Sequence, residues 1–339
     1  MSVADEPTNL ERRVGYAELA AEVRGLGLLR RRPGFYAAMT AANLAVLALL
    51  VAVMAVFRDS WWLMLPAVGL AIVFAQLGFL GHDAGHRQVA RRADTSRLLG
   101  YVFANLLTGL SHGWWVDKHN AHHAHPNEVG SDPDVHPGIF IFDAESAATR
   151  RGAARWFTGH QAWLFFPMLM LEALNLHVTS IRAVLRPGLR NRGVEAVLLA
   201  VHFAAYAALV IATMTWLQAL VFVAIHQGLL GLYLGCAFAP NHKGMALPTE
   251  AEAADPLLRQ VLTSRNVRGG PVVDVVLGGL NYQIEHHLFP SMPRPNLRVA
   301  QPVVRRFCEA NGVTYTETSA FASYREALRH LDAVGAMAR

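Results

Sequence analysis

Four long apolar segments restrict the fold of this chain more than any other feature of its sequence. They comprise residues 38–57, 61–80, 194–214 and 216–239, with few polar interruptions. Because a helix rises about 1.5 Å per residue, each segment is long enough to cross the roughly 30 Å hydrocarbon core of a bilayer. Short turns join the first segment to the second and the third to the fourth. We therefore predict an all-α integral membrane protein with four transmembrane helices in two hairpins.

The basic residues are distributed as this topology requires. Of the 30 Lys and Arg residues, 29 fall on the side of the membrane that holds both termini. The positive-inside rule places that side in the cytoplasm, and we expect the plasma (inner) membrane. The basic charge then indicates anionic membrane lipids as partners, and it gives no support for nucleic acid binding.

Two shorter apolar stretches, 98–110 and 156–176, are predicted to lie at the membrane interface or to re-enter the membrane. The first is too short to cross, and polar residues interrupt the second. The expected domain organisation is a cytosolic N-terminal segment, 1–37, a membrane and catalytic domain, 38–290, and a cytosolic C-terminal segment, 291–339.

Histidine is unusually abundant for so apolar a chain, with 16 residues, and half of them lie in four short clusters. The clusters are HxxxH at 82–86, HxxHH at 119–123, QxxHH at 283–287, and the pair Asn241-His242. Residues three and four apart share a helix face, so the histidines of one cluster can point at one place. Since two clusters directly follow predicted spans, we expect all four beneath the same membrane leaflet.

So many imidazoles in one place predict a metal centre, because metal binding keeps neighbouring imidazoles neutral. A structural zinc site commonly includes cysteine, but the chain has two cysteines and no matching set. Eight histidines imply two ions, each with a position open for dioxygen or solvent, and we interpret the site as a dinuclear iron centre. Spacing alone does not choose iron over other metals that prefer imidazole. Two further histidines, His202 and His226, lie within spans, where we expect interhelical hydrogen bonds.

The motifs HDAGH, HNAHH and QIEHH, in this order and at these positions relative to the spans, resemble the histidine boxes of membrane fatty acid desaturases. The glutamine that opens the third box resembles the front-end, linoleoyl-CoA-desaturase-like branch, as do the segments 114–118 and 131–135 around the second box. The resemblance covers residues 80–290. It implies four transmembrane helices and a helical cytosolic cap that holds two iron ions, with O2 as co-substrate.

The resemblance also implies a set of site residues. The metal ligands would be His82, His86, His119, His122, His123, His242, His286 and His287. Gln283 stands where stearoyl-type members have histidine, so its amide is a candidate for direct or water-bridged ligation, and the same holds for Asn241. Beyond these ligands we assign no catalytic residue. Trp114 and Trp115 are candidates for contact with the acyl chain, with anchoring at the membrane interface as the alternative.

The activity that the resemblance implies is an oxygen-dependent acyl desaturase, which inserts a cis double bond into the acyl chain of an acyl-CoA or acyl-lipid. Two alternatives stay open: a di-iron fatty acyl hydroxylase or oxygenase on the same scaffold, and a non-catalytic membrane metal-binding protein. The sequence has no HPGG haem motif, so we expect no fused cytochrome b5 domain. Electrons are then expected from an external donor, a ferredoxin-like protein or reductase system.

Overall fold

The computed structural model describes residues 9–339, with side chains from Gly15 onward. Its helices up to the middle of the chain are α1 Asn9–Gly25, α2 Pro33–Val56, a 3-10 turn Trp61–Leu63, α3 Met64–Gly85, α4 Ala93–Gly100, a π-helical turn Tyr101–Leu106, α5 His112–Ala124, α6 Ala144–Thr149, α7 Gly152–Gly159, α8 Gln161–Leu169 and α9 Glu172–Leu185. The later elements are α10 Arg192–Thr213, α11 Trp216–His242, α12 Glu250–Ala254, α13 Pro256–Leu262, β1 Asn266–Arg268, α14 Pro271–Val276, α15 Gln283–Leu288, α16 Arg294–Ala310, β2 Glu317–Ser319 and α17 Ala320–Ala336.

Among the described residues, four helical segments are long and apolar enough to cross a membrane. They are Pro33–Val56, Trp61–Gly85, Arg192–Thr213 and Trp216–His242. The strands β1 and β2 form a short parallel pair, with Asn266 opposite Glu317. The predicted class, an all-α integral membrane protein with four spans, is therefore confirmed, while the predicted domain boundaries stay a prediction.

The second and fourth spans are longer than their apolar segments. Helix α3 continues past residue 80 through His82, and α11 continues past residue 239 through His242, although Pro240 lies inside it. The histidines thus occupy the last turns of the two helices. Besides these four spans, helices α8 and α9 form a bent apolar segment. The two helices meet at 69°, and together they qualify as a broken span or a re-entrant loop.

The chain divides into two compact units that do not follow its order. We call residues 31–118 and 163–238 the membrane unit, and residues up to Arg30 with 119–162 and 239–339 the C-terminal unit. In the membrane unit, apolar side chains of α2, α3, α10 and α11 pack around buried residues such as Leu70 and Phe222. In the C-terminal unit, α1, α13, α15 and α16 share one apolar core, which includes Ile284 and Val304.

The buried Arg265 fixes the end of α11 within the C-terminal unit. Its guanidinium donates to the Pro240 carbonyl at 2.8 and 3.0 Å and to the Lys243 carbonyl at 2.8 Å, and it pairs with Glu326. Carbonyls in the last turn of a helix have no intrahelical partner, so a cation there is favourable. Arg265 therefore holds the turn that carries His242.

Candidate metal centre

The C-terminal unit gathers six of the predicted ligand histidines. They are His119, His122, His123, His242, His286 and His287. Helical spacing places the second-box residues on one face of α5, and α15 presents the third-box residues in the same way. The rings of His123 and His287 stack with centroids 4.1 Å apart, and the His122 and His242 centroids are 4.7 Å apart. Residues more than one hundred positions apart in sequence thus contribute to one imidazole cluster.

Three of these histidines form a group that can hold a metal ion. One ring nitrogen from each of His122, His242 and His287 lies within 4.8 Å of the others, and all three residues are buried. The Nε2 atoms of His122 and His242 are 3.3 Å apart. Two nitrogen ligands at about 2.1 Å from one ion in tetrahedral geometry would be separated by about 3.4 Å. The spacing therefore suits two ligands of a common metal.

The carboxylate of Asp132 holds the outer nitrogen of His122. Both carboxylate oxygens lie 3.0 Å from His122 Nδ1, and the backbone N–H groups of Asn127 and Asp134 donate to the same carboxylate at 2.8 Å. Burial acts to raise the pKa of Asp132, but the hydrogen bond from His122 leaves that pKa below its ordinary value. An ionised Asp132 accepts the Nδ1 proton, so the lone pair of His122 is on Nε2.

Neutral oxygens hold the outer nitrogens of the other two rings. His242 Nδ1 donates to the Thr263 carbonyl at 3.0 Å, and His287 Nδ1 donates to Gln260 Oε1 at 2.8 Å. These bonds select the same tautomer as Asp132 does for His122, with the lone pair on Nε2. The 3.3 Å approach of the His122 and His242 Nε2 atoms then brings two lone pairs together. A cation between them reconciles this arrangement, so the residues fit a metal.

The remaining histidines of the C-terminal unit form a second group beside the first. His119 Nε2 and His123 Nε2 are 3.1 Å apart. The His286 ring lies 4.8 Å from the His123 ring and 6.3 Å from the His119 ring, measured between centroids. The six imidazoles therefore extend over more space than one ion occupies, as a dinuclear centre requires.

The two amide candidates, Gln283 and Asn241, are buried beside His242. Gln283 Nε2 lies 2.9 Å from His242 Nε2, and Gln283 Oε1 accepts from Asn241 Nδ2 at 3.2 Å. The side chain of Gln283 thus contacts the nitrogen that His242 would offer to a metal. Asn241 contacts the far end of that amide.

The first histidine box lies at the end of α3 in the membrane unit. The ring centroids of His82 and His86 are 4.7 Å apart, and Trp115 lies 5.3 Å from His82 and 6.2 Å from His86. A Cβ atom at Gly85 would lie 2.7 Å from the Trp115 ring, so glycine at this position permits the close packing. Of the two tryptophans predicted to contact substrate, Trp115 lies beside the first box. The backbone N–H of Trp114 donates to Ser111 Oγ.

The intramembrane histidines form the interhelical bonds predicted for them. His202 Nδ1 on α10 donates to the Leu106 carbonyl at 2.9 Å, and His226 Nδ1 on α11 accepts from Tyr206 at 2.8 Å. The prediction for both residues is confirmed. Among the residues that the structure describes, neither joins a group that could hold a metal.

A buried polar network surrounds Glu285 in the third box, and no motif in the sequence predicts it. Glu285 accepts from Asn266 Nδ2 and from the Tyr315 hydroxyl, each at 2.7 Å, and the backbone N–H of Ile284 donates to Asn266 Oδ1. Burial raises the pKa of Glu285 above its ordinary value, although both hydrogen bonds oppose this. The network holds α15 to Asn266 of β1 and to Tyr315.

Asp132, Gln260 and Thr263 were also missed as partners of the ligand histidines. Asp132 lies in the segment that supports the family resemblance, and an acid nine residues after the second box is a usable signal. Gln260 and Thr263 stand in no motif, and only the fold brings them to His287 and His242.

Helices that fit a membrane and a buried imidazole cluster able to hold metal define the class of this protein. The chain belongs to the fatty acid desaturase family: the family model "Fatty acid desaturase" matches residues 59–319. It is 30% identical over 298 residues to the acyl-lipid (9-3)-desaturase of Physcomitrium patens, covering 84% of this chain and 56% of that protein. It is also 30% identical to the Delta(5) fatty acid desaturase fat-4 of Caenorhabditis elegans, covering 91% and 71%.

A third relative, the acyl-lipid 8-desaturase of Rebecca salina, is 33% identical over 75% of this chain and 59% of its own length. The chain thus spans little more than half the length of some curated relatives that it matches. The family predicted from the histidine boxes is confirmed, including its front-end branch.

Proposed function

We propose that this protein is an oxygen-dependent acyl desaturase that inserts a cis double bond into the fatty acyl chain of an acyl-CoA or acyl-lipid. Membership of the fatty acid desaturase family supports this activity. The observation that carries the proposal is the convergence of His122, His242 and His287, each held at Nδ1 by an oxygen. Such pre-oriented imidazoles suit a catalytic metal.

The ions that we propose are two irons, held by His119, His122, His123, His242, His286 and His287 together with His82 and His86. His82 and His86 are included because their HxxxH motif resembles the first histidine box of the family. Bound iron would supply the oxidant that O2 forms and that no side chain provides. In the overall reaction a –CH2–CH2– unit, O2, two electrons and two protons give –CH=CH– and two molecules of water.

The residues of this chain have separate tasks in that reaction. Asp132 and Thr263 keep the ligand nitrogens of His122 and His242 oriented. Rotation of the Gln283 and Asn241 amides together would present Gln283 Oε1 beside His242 Nε2 and keep a hydrogen bond between the two amides, so direct or water-bridged ligation by Gln283 is part of the proposal. Trp115 is proposed to contact the acyl chain near the first box, and Trp114 is a second candidate for the same contact.

The partners and location extend the same proposal. A long acyl chain is dissolved in the bilayer, which accounts for transmembrane helices in such an enzyme. We propose that an external ferredoxin-like protein or reductase system delivers the electrons, and that membrane lipids surround the helices. The positive-inside pattern supports a cytoplasmic active site. The membrane that we propose is the plasma (inner) membrane.

The test is fatty acid profiling of a bacterial host with few desaturases of its own that expresses this chain with a ferredoxin and its reductase. We expect new cis-unsaturated acids by mass spectrometry of the methyl esters, and none with His122→Ala. A hydroxylated product in place of an alkene would support the oxygenase alternative. Iron bound to wild-type protein without any oxidised acyl product would overturn the enzymatic proposal.

A further inference from the structure

The amide of Gln260 joins two histidine boxes within the C-terminal unit. Its Oε1 accepts from His287 Nδ1 at 2.8 Å, and its Nε2 donates to the carbonyl of His123 at 2.8 Å. His287 belongs to the third box on α15, and His123 belongs to the second box on α5. One planar group thus connects a candidate ligand ring to the backbone of another helix.

The position of Gln260 is itself fixed by the fold. Asp255 caps α13 by accepting from the backbone N–H groups of Leu257 and Leu258 at 2.9 and 3.1 Å. Leu257 and Val261 are buried in the core of the C-terminal unit, which anchors the helix on that side. The Gln260 amide therefore belongs to an anchored helix rather than to a flexible loop.

Gln260 differs from the acceptors of the neighbouring rings. His122 has the ionised Asp132, and His242 has the backbone carbonyl of Thr263, which no side-chain substitution removes. His287 has an amide oxygen that is neutral and can be replaced. Partners of this kind fix the tautomer and ring orientation of a metal ligand, and their loss typically lowers metal affinity about 10- to 100-fold.

We propose that Gln260 is a positioning residue for the metal centre: by accepting the Nδ1 proton of His287, it directs Nε2 of that ring toward the ion. The proposal rests on the proposed iron-dependent function and assigns the role to the Oε1 contact. The contact with the His123 carbonyl is a separate anchor. The two contacts predict different outcomes for two substitutions.

Gln260→Leu removes both contacts, whereas Gln260→Glu keeps an acceptor for His287 and loses the donor to His123. We expect the iron affinity of the detergent-purified full chain to fall about 10- to 100-fold in Gln260→Leu. In Gln260→Glu we expect an affinity within about threefold of wild type, since a carboxylate also accepts from Nδ1. Mössbauer spectra of the iron-loaded proteins should show an altered iron environment in Gln260→Leu and recovery in Gln260→Glu.

Gln161 provides a matched control in the same unit. Its buried amide donates to the carbonyls of Ile141 and Leu331 and accepts from the Ile141 N–H, and none of these three hydrogen bonds involves a histidine. Gln161→Leu should lower the thermal midpoint at least as much as Gln260→Leu, while each folded molecule keeps its iron. This control separates a loss of stability from a loss of ligand orientation.

The possible outcomes distinguish a failure of the role of Gln260 from a failure of the proposed iron-dependent function. Wild-type iron content and spectrum in Gln260→Leu would overturn the role of Gln260 alone. Equal iron loss in Gln260→Glu and Gln260→Leu would also overturn it, because the His123 contact would then be the important one. A wild-type chain that binds no iron would overturn both this inference and the proposed function.

Discussion

Histidines occur in two settings in this molecule, and both settings satisfy the outer ring nitrogen with an oxygen. In the C-terminal unit, His122 and His242 each use Nδ1 for a hydrogen bond, and their Nε2 atoms approach to 3.3 Å. In the membrane unit, His177 and His202 use Nδ1 in the same way, bonding to the carbonyls of Gly109 and Leu106. The hydrogen bonds alone therefore do not distinguish the two settings.

The two settings differ in where the inner nitrogens point. The ligand atoms of His122, His242 and His287 lie within 4.8 Å of one another, whereas among the described residues neither His177 nor His202 belongs to such a group. No metal-capable group among the described residues includes His177, and Phe203 packs against its ring. Clustering of histidines is thus weaker evidence for a metal than convergence of their lone pairs.

The largest expected effect follows removal of a converging imidazole. His122→Ala should leave the protein folded in the membrane but lower desaturation by at least about 100-fold, because losing a ligand costs more than losing its outer partner. Acyl products and iron content would be measured together on membranes of equal protein content. Double-bond formation at the wild-type rate would contradict the ligand assignment.

His125→Ala is the matched control for that substitution. His125 lies two residues after the second box, but its side chain is 44% exposed and pairs with Glu128 at 2.8 Å. An exposed pair of this kind contributes little to stability. We expect iron content and activity close to wild type.

A smaller effect is expected when the charged partner of His122 is made neutral. Asp132→Asn keeps one acceptor oxygen but cannot serve His122, Asn127 and Asp134 together as the carboxylate does. Iron affinity should fall about 10- to 100-fold, less than for His122→Ala, as measured by competition with a chelator. Asp134→Asn is the control, since that carboxylate lies 3.6 Å from His122 Nδ1 and should matter less. Equal effects in both variants would contradict a specific role for Asp132.

The sequence predicts the spans well because an apolar run of membrane length has few other folds available. It does not predict where the helices end. Hydropathy falls at the first polar residues, but backbone hydrogen bonding continues through His82 in α3 and through His242 in α11. For α11 the continuation depends on Arg265, which satisfies carbonyls of the last turn from a distant part of the chain.

The candidate site also combines residues that a local pattern predicts with residues that only the fold brings together. Its histidines were predicted because ligands on one helix face leave a local signal at three- and four-residue spacing. Their partners leave none: Gln260 and Thr263 reach His287 and His242 only through the packing of α13, and Glu285 meets Tyr315 thirty residues later. Such contacts depend on tertiary structure, which a single sequence does not specify locally.

The smallest expected effect lies in the membrane unit, where His226 accepts from the Tyr206 hydroxyl between α11 and α10. Interhelical hydrogen bonds within membranes contribute about 0.6 kcal/mol on average, so His226→Phe and Tyr206→Phe should each lower thermal stability slightly. The double variant should show a coupling energy of similar size in a double-mutant cycle. Iron content per folded molecule should stay at the wild-type level in all three. If His226→Phe lost iron as His122→Ala is expected to, lone-pair convergence would not be what separates the two settings.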